Sequence, residues 1–246
     1  MSRPLGAPYR EGHTMTAQRL RNVGLLAAAM ILPLTVVSTA SSASAAVPDA
    51  TVSVLHAIPA GLGADIVDVY AGTALLIDNL TPGSLRTVRV PGGVYNLGVY
   101  ADGQAPGTGT ALLSSPRTQV PSGANATVTA NLDALGTPAL NVFLNDTAAL
   151  RSGQGRLTVR HVAAAPAVDV RANGRPLFTT MYNGKQAKTP AKAGNYRTDV
   201  VLAGTKQVAI GPATVVIKKG VNTIVYAWGS AANGTLALAV QEVPAK

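Results

Sequence analysis

A histidine followed by an aspartate on the next apolar segment occurs twice in this sequence. His56 precedes Asp68, and His161 precedes Asp169. A histidine ring held by a carboxylate is half of a nucleophilic triad and can serve as a general base. We expect each pair to sit on neighbouring strands, which would bring the two side chains together.

The remaining parts of a hydrolytic site are not visible in the sequence. The G-x-S-x-G motif of a nucleophile elbow is absent. Ser53, Ser84 and Ser115 have no matching serine in the second copy of the repeat described below. Because the His and Asp recur in both copies, a structural hydrogen-bonding role explains them as well as chemistry does. The sequence therefore predicts no enzyme, with a hydrolase of envelope carbohydrate or ester, using the His–Asp pair, as the alternative.

Metal and cofactor chemistry has few residues to use. The chain has no cysteine, and beyond residue 45 it has two histidines, 105 residues apart. Zinc sites draw on clustered Cys and His ligands, and the twelve-residue calcium loop is also missing. Gly107 and Gly109 lie in a glycine-rich loop that lacks the Lys-Ser/Thr of a phosphate loop. The sequence predicts no metal site and no cofactor.

Charge divides the chain into an acidic and a basic half. Residues 47–150 carry 3 basic and 7 acidic residues (−4), whereas residues 151–246 carry 13 basic and 3 acidic residues (+10). A field of this kind attracts anionic polymers, or the acidic half of another copy. Nucleic acid is not predicted, because aromatic residues are not interleaved with the basic ones. The candidate binding residues are Lys185, Lys188, Lys192, Arg197, Lys218 and Lys219.

The chain beyond residue 46 is an internal duplication. His56 matches His161, Asp68 matches Asp169, and the glycines and tyrosines of the following turns recur at nearly constant offsets. Repeated turn residues imply that the same backbone turns are built twice. We place the first module at residues 47–147, a linker at 148–154 and the second module at 155–246. Further matched pairs are Gly83 with Gly184, Gly93 with Gly194, Tyr95 with Tyr196 and Gly123 with Gly220.

Within each copy, apolar residues alternate with a period of two in runs bounded by Gly, Pro, Asn or Asp. Short alternating runs with regular turn signals predict an all-β sandwich. We expect two tandem antiparallel β-sandwich modules, Ig-like or transthyretin-like, with seven or eight strands each. Asn173-Gly174 predicts a hairpin turn of the primed type.

The first 45 residues read as an export signal. Arg19 and Arg21 precede an apolar run of about 15 residues, which is too short to span a membrane. Ala43-Ser44-Ala45 then fits the rule for signal peptidase, so cleavage is predicted after Ala45. The true start is expected at Met15. We expect a secreted or cell-surface protein with no transmembrane segment in the mature chain.

Each copy of the repeat carries the same pattern of a histidine, a proline, Val-Asp-Val and a later Gly-x-Tyr. The residues of this pattern are His56, Ala57, Pro59, Val67, Asp68, Val69 and Tyr70 with Gly93 and Tyr95, and His161, Pro166, Val168, Asp169, Val170, Asn173 and Gly174 with Gly194 and Tyr196. The pattern resembles the domain-of-unknown-function family 4397 (DUF4397). The resemblance implies a β-sandwich, often in tandem, in bacterial exported and envelope proteins. It implies no particular activity.

Together these features predict an exported binding or structural protein whose basic second module contacts anionic envelope polymers. Besides the hydrolase, the other alternative is self-association, in which the acidic and basic modules of different copies pair head to tail.

Overall fold

A computed structural model describes residues 48–246, and all sixteen helices and strands in that range are β-strands. The predicted all-β class is confirmed, with eight strands in each module. The predicted signal peptide, its cleavage after Ala45 and the alternative start at Met15 lie outside the described residues.

The first module is a sandwich of two four-stranded sheets. The sheet with the order β4-β1-β7-β8 is called the inner sheet here, and the sheet with the order β3-β2-β5-β6 the outer sheet. The strands are β1 (Ala50–Ala57), β2 (Val67–Ala71), β3 (Ala74–Leu80), β4 (Leu85–Val90), β5 (Gly93–Ala101), β6 (Leu113–Val120), β7 (Asn125–Leu132) and β8 (Pro138–Leu144).

The second module repeats the same topology. Its inner sheet has the order β12-β9-β15-β16 and its outer sheet the order β11-β10-β13-β14. The strands are β9 (Gln154–His161), β10 (Val168–Ala172), β11 (Arg175–Met181), β12 (Lys185–Lys192), β13 (Gly194–Leu202), β14 (Val208–Ile217), β15 (Val221–Trp228) and β16 (Ala237–Pro244).

Each inner sheet differs from the predicted antiparallel arrangement at one pair of strands. β1 pairs with β7 in parallel, and β9 pairs with β15 in parallel. Parallel neighbours require a long crossover connection. In the first module the connection is formed by β2 to β6, and in the second by β10 to β14. Alternation of apolar residues specifies which face is buried but not the direction of the neighbouring strand.

Alternate residues of the inner strands face two different cores. Val52 and Val54 of β1 pack into the first module's own core. Leu55 and Ala57 belong instead to a third apolar cluster that draws residues from both modules. This cluster comprises Leu55, Ala57, Phe143, Val162, Ile224, Tyr226 and Val243. The inner sheets are therefore buried on both faces, and the two modules form four packed layers.

The segment between β8 and β9 is bound to the second module by two ion pairs. It covers residues 145–153, so the predicted linker 148–154 lies within it except for Gln154, which opens β9. The carboxylate of Asp146 lies 3.2 Å from Arg156 and 2.6 Å from Lys188. The hydrogen bond from Lys188 is the main cause that lowers the pKa of Asp146. These contacts fix the linker against the second module.

Candidate functional site

Both repeated histidines are buried at the ends of inner strands. Nε2 of His56 lies 2.6 Å from the Ala64 carbonyl, and Nε2 of His161 lies 3.0 Å from that of Pro166. On the other side of each ring, a backbone N–H of the next loop donates to Nδ1, at 3.3 Å for His56 and 3.4 Å for His161. A carbonyl only accepts and a backbone N–H only donates, so both rings are neutral with the hydrogen on Nε2. Burial lowers the pKa of each histidine.

Both repeated aspartates bind backbone N–H groups at an irregularity of the outer sheet. Asp68 accepts from the N–H of Asn79 at 3.0 Å and of Gly103 at 3.3 Å. Asp169 accepts from Thr180 at 2.8 Å and from Gly204 at 3.0 Å. The bonds from Thr180 and then Gly204 lower the pKa of Asp169. Each aspartate thus connects two segments of the outer sheet. One is the strand, β3 or β11, whose register shifts against the aspartate's own strand, and the other is the turn after β5 or β13.

The expected contact between histidine and aspartate is not formed. His56 lies on β1 of the inner sheet, whereas Asp68 lies on β2 of the outer sheet, so the two strands are not neighbours. The same separation holds for His161 and Asp169. The two histidines have both ring nitrogens, and the two aspartates both carboxylate oxygens, engaged by backbone groups. The expectation of neighbouring strands was wrong, because the chain passes from the inner sheet to the outer sheet between β1 and β2, and again between β9 and β10.

The space beside His56 does not resemble a substrate pocket. The cavity has a volume of about 90 Å³ and is lined mostly by aliphatic residues, among them Ile58, Leu62 and Val99. Ligand pockets usually enclose about 300–1,000 Å³. Within residues 48–246, no group of three or more His, Asp or Glu side chains is placed to hold a metal ion.

A larger open groove of about 490 Å³ lies where turns of the two modules meet. Leu135 on one side is 92% exposed, and Tyr182 on the other is also exposed. The acidic residue of this groove, Asp133, uses Oδ1 to accept the N–H groups of Leu135 and Thr137, which stabilises its own turn.

The boundary between the inner sheets contains a ring of hydrogen bonds. Arg160 donates to Tyr226 at 2.6 Å and to Asn145 at 2.7 Å. Tyr226 donates to Gln241 at 2.5 Å, Thr127 donates to the same oxygen at 2.9 Å, and Asn145 donates to Thr127 at 3.0 Å. The ring closes through residues of both modules. All five side chains are buried, so the ring fixes one relative position of the sheets.

Arg160 is a buried cation without a carboxylate partner among residues 48–246. Its guanidinium carbon lies 4.4 Å from the ring centre of Phe143 and 5.3 Å from that of Tyr226. Neutral oxygens and aromatic faces therefore offset its desolvation. The same burial lowers the pKa of Arg160 and raises the pKa of Tyr226. Arg160 cannot be recognised as a buried residue from the sequence, because a single arginine in an alternating strand is typical of a solvent-facing position.

The structure brings together three of the six predicted basic residues. Lys192, Lys218 and Lys219 lie at the end of the second module nearest the linker. Lys185 lies at the opposite end of β12, paired with His161 and about 23 Å away along the strand. Lys188, midway along β12, is bound to Asp146, and Arg197 lies on β13 of the outer sheet.

Two further basic residues lie at the same end as the three lysines. Arg151 is in the linker just before β9, and Lys246 follows β16. Lys192 pairs with Gln154, the Gly220 N–H donates to Gln154 at 2.9 Å, and the Ala245 N–H donates to Gly220 at 2.8 Å. These contacts place a basic residue at the end of each of the four strands of the inner sheet. We call this set the linker-end row; it comprises Arg151, Lys192, Lys218, Lys219 and Lys246.

Comparison with known proteins identifies a family but no activity. Residues 50–171 match a family model described as "Domain of unknown function (DUF4397)", from β1 into β10. Among solved structures, the chain is similar to "The Bacillus anthracis TIE protein", with 11% identity and a TM-score of 0.23. That similarity covers 73% of this chain and 33%, about one third, of the Bacillus chain. None of the curated proteins matches. Across residues 48–246 there is no helix of the length and hydropathy that a membrane crossing needs.

Proposed function

The chain belongs to the DUF4397 family, and we propose that it is an exported, non-enzymatic binding protein whose basic second module contacts anionic polymers of the cell envelope. The observation that carries this proposal is the charge of the second module, +10 over residues 151–246, in a chain whose first module is acidic. An electropositive surface of this kind concentrates polyanions near it and accelerates their association.

The distribution of the charge on the surface supports a binding role. Of the 13 basic residues in 151–246, Arg156 and Arg160 are buried, while Arg171, Lys188 and Lys218 are in ion pairs with carboxylates. The remaining eight are exposed and lie outside these ion pairs: Arg151, Arg175, Lys185, Lys192, Arg197, Lys206, Lys219 and Lys246. The surface charge is therefore available to a ligand rather than neutralised within the module.

The packing of the modules supports a binding role for the whole unit. Residues 48–246 lie within one compact unit, and the inner sheets of the two modules bury each other. Head-to-tail pairing between copies, the alternative of self-association, would have to use other surfaces than these. Separated modules would expose Leu55, Phe143 and Ile224, so the binding experiment requires both modules in one chain.

Binding to a defined polyanion tests the proposal. The chain from Ala46 to Lys246 is titrated onto immobilised polyphosphate, with neutral dextran as the reference surface. We expect binding to polyphosphate alone, weakened roughly a hundredfold between about 50 and about 200 mM salt, because several phosphate contacts release counterions together. An affinity for polyphosphate that does not change with salt concentration, or equal retention on dextran, would contradict the proposal.

A matched variant separates the two modules. Arg86 and Arg89 are exposed on β4 of the acidic first module. The R86Q/R89Q variant removes two positive charges and is expected to bind polyphosphate within about twofold of the parent chain. A larger loss would assign the binding to the first module and contradict the role of the second.

Export is part of the same proposal and has its own test. The signal-like residues 1–45 predict that the secreted form begins at Ala46. N-terminal sequencing of protein recovered from the culture medium or the cell surface is expected to start at that residue. An intact N-terminus would contradict processing by signal peptidase.

A further inference from the structure

One end of the inner sheet of the second module carries the positive charge of the linker-end row. The strand order β12-β9-β15-β16 places Lys192, Arg151, the Lys218-Lys219 pair and Lys246 side by side. With neighbouring strands about 4.8 Å apart, the row spans about 14 Å. Glu242 lies beside it and binds Lys218 at 2.7 Å, which leaves the other four residues as the exposed positive edge.

The duplication shows that the fold does not require the charges of Lys192, Lys218 and Lys219. In the first module, the Tyr95 hydroxyl donates to the Pro91 carbonyl at 2.6 Å; in the second, the Tyr196 hydroxyl donates to the Lys192 carbonyl at 2.9 Å. The two turns are therefore built alike, with proline in one and lysine in the other.

The turn before the parallel strand shows the same contrast. The Ala124 N–H donates to Pro121 at 3.1 Å, and the Val221 N–H donates to Lys218 at 3.3 Å. Pro121 and Ser122 thus occupy the positions of Lys218 and Lys219. Neutral residues build both turns equally well, so the lysines of the second module call for a reason other than folding.

We infer that the linker-end row binds a linear polyanion, a polymer with anionic groups spaced along a flexible chain, and this inference rests on the proposed function. A single exposed ion pair contributes little, because solvent and salt screen it. Four such contacts made at once by one polymer add up, because after the first contact the others become intramolecular. A small anion can engage only one or two of the residues. Four of the five are lysines, whose mobile point charges suit variable spacing of the anionic groups.

Two double variants with equal charge test the assignment. K192Q/K219Q removes two exposed charges of the row and leaves the ion pair between Lys218 and Glu242 intact. R175Q/K206Q removes two exposed charges of the same module outside the row. Each is titrated with polyphosphate across a salt series, and the parent chain is also titrated with inorganic phosphate.

The expected results differ sharply between these variants. K192Q/K219Q is expected to weaken polyphosphate binding about tenfold at low salt and to lower the slope of log affinity against log salt by about 2. R175Q/K206Q is expected to leave both quantities nearly unchanged, and inorganic phosphate to bind far more weakly than the polymer.

The experiment distinguishes a wrong binding site from a wrong function. Equal losses in both variants would overturn the row as the site while polyanion binding stands. Equal affinity for inorganic phosphate and polymer would overturn the linear-polyanion ligand. A parent chain that binds no polyphosphate would remove the proposed function itself, and the row with it.

Discussion

Nη2 of Arg160 in the second module donates a 2.7 Å hydrogen bond to Oδ1 of Asn145, the first residue after the last strand of the first module. The position of Arg160 in the first module is occupied by Leu55, as the matched histidines that follow them, His161 and His56, show. The duplication has thus diverged at the face where its two halves meet. One half supplies an aliphatic side chain and the other a guanidinium.

Removing that guanidinium is expected to destabilise both modules together. R160A removes the hydrogen bonds that Arg160 donates to the buried oxygens of Asn145 and Tyr226 and opens space beside Phe143, at a cost of about 3 kcal/mol. Chemical denaturation gives the free energy of unfolding. R151A, at an exposed residue, is the control, with a change of at most about 0.5 kcal/mol. A loss below about 1 kcal/mol for R160A would show that the ring of hydrogen bonds contributes little.

The two modules are expected to unfold in one transition. The single tryptophan, Trp228, packs against Gly83 of the first module, where a Cβ would lie only 2.9 Å from Cζ2 of the indole. Its fluorescence therefore reports on the boundary between modules, whereas far-UV circular dichroism reports on all strands. Coincident denaturation curves are the expected result for a two-state unit. A fluorescence change that precedes the loss of strand signal would mean that the modules separate before they unfold.

Stability is expected to fall below neutral pH because of His56 and His161. Burial lowers the pKa of both in the folded state from 6.5, so the unfolded chain binds more protons once the pH falls below 6.5. Their contribution is complete above pH 6.5 and is lost as the pH falls through 6.5 towards the folded pKa. Beyond residue 45 there is no other histidine.

Free energies of unfolding measured between about pH 7.5 and about pH 5.5 test this dependence. The expected curve declines on acidification. The H56Q/H161Q variant is expected to be less stable at neutral pH but nearly independent of pH in this range. A flat curve for the unmodified chain would contradict the hydrogen-bonding arrangement assigned to the two rings.

Thr180 occupies a backbone conformation that is unfavourable for a β-branched residue, with φ of 53°. Its counterpart in the first module is Asn79, with φ of 54°. Asparagine tolerates this region better, so T180N is expected to raise the free energy of unfolding by about 1 kcal/mol. The adjacent T179N, in the same strand β11, is the control and is expected to be neutral or slightly destabilising. Equal effects of the two substitutions would show that backbone conformation is not the cause.

The sequence predicted the elements of each module better than their arrangement. The duplication, the all-β class and the turn at Asn173-Gly174 all appear in the structure, with φ of 50° and 76° at the two turn residues, as a primed turn requires. β12 does not show the apolar alternation of the other inner strands, because its sequence, KQAKTPAK, is rich in lysine and contains Pro190. Such residues suit an edge strand, where one side of the backbone has no neighbour.

Contacts between distant segments were beyond sequence reasoning. Leu55, Thr127 and Arg160 occupy the alternate positions that normally face water, and only the packing of one module on the other buries them. The repeated histidines and aspartates were correctly recognised from the sequence. Their placement on neighbouring strands was wrong, because the alternation of apolar residues does not specify which strands are neighbours. Lys246 joins the linker-end row only because β16 completes the inner sheet beside β15, and Arg151 joins it because it precedes β9.

Co-sedimentation with isolated bacterial cell envelopes, across a salt series, is the most direct test of envelope binding. The chain from Ala46 to Lys246 is compared with K192Q/K219Q and R175Q/K206Q. We predict that the parent chain and R175Q/K206Q sediment with the envelopes at low salt and are released as salt rises, while K192Q/K219Q is released at distinctly lower salt. A parent chain that stays in the supernatant at every salt concentration would contradict the account.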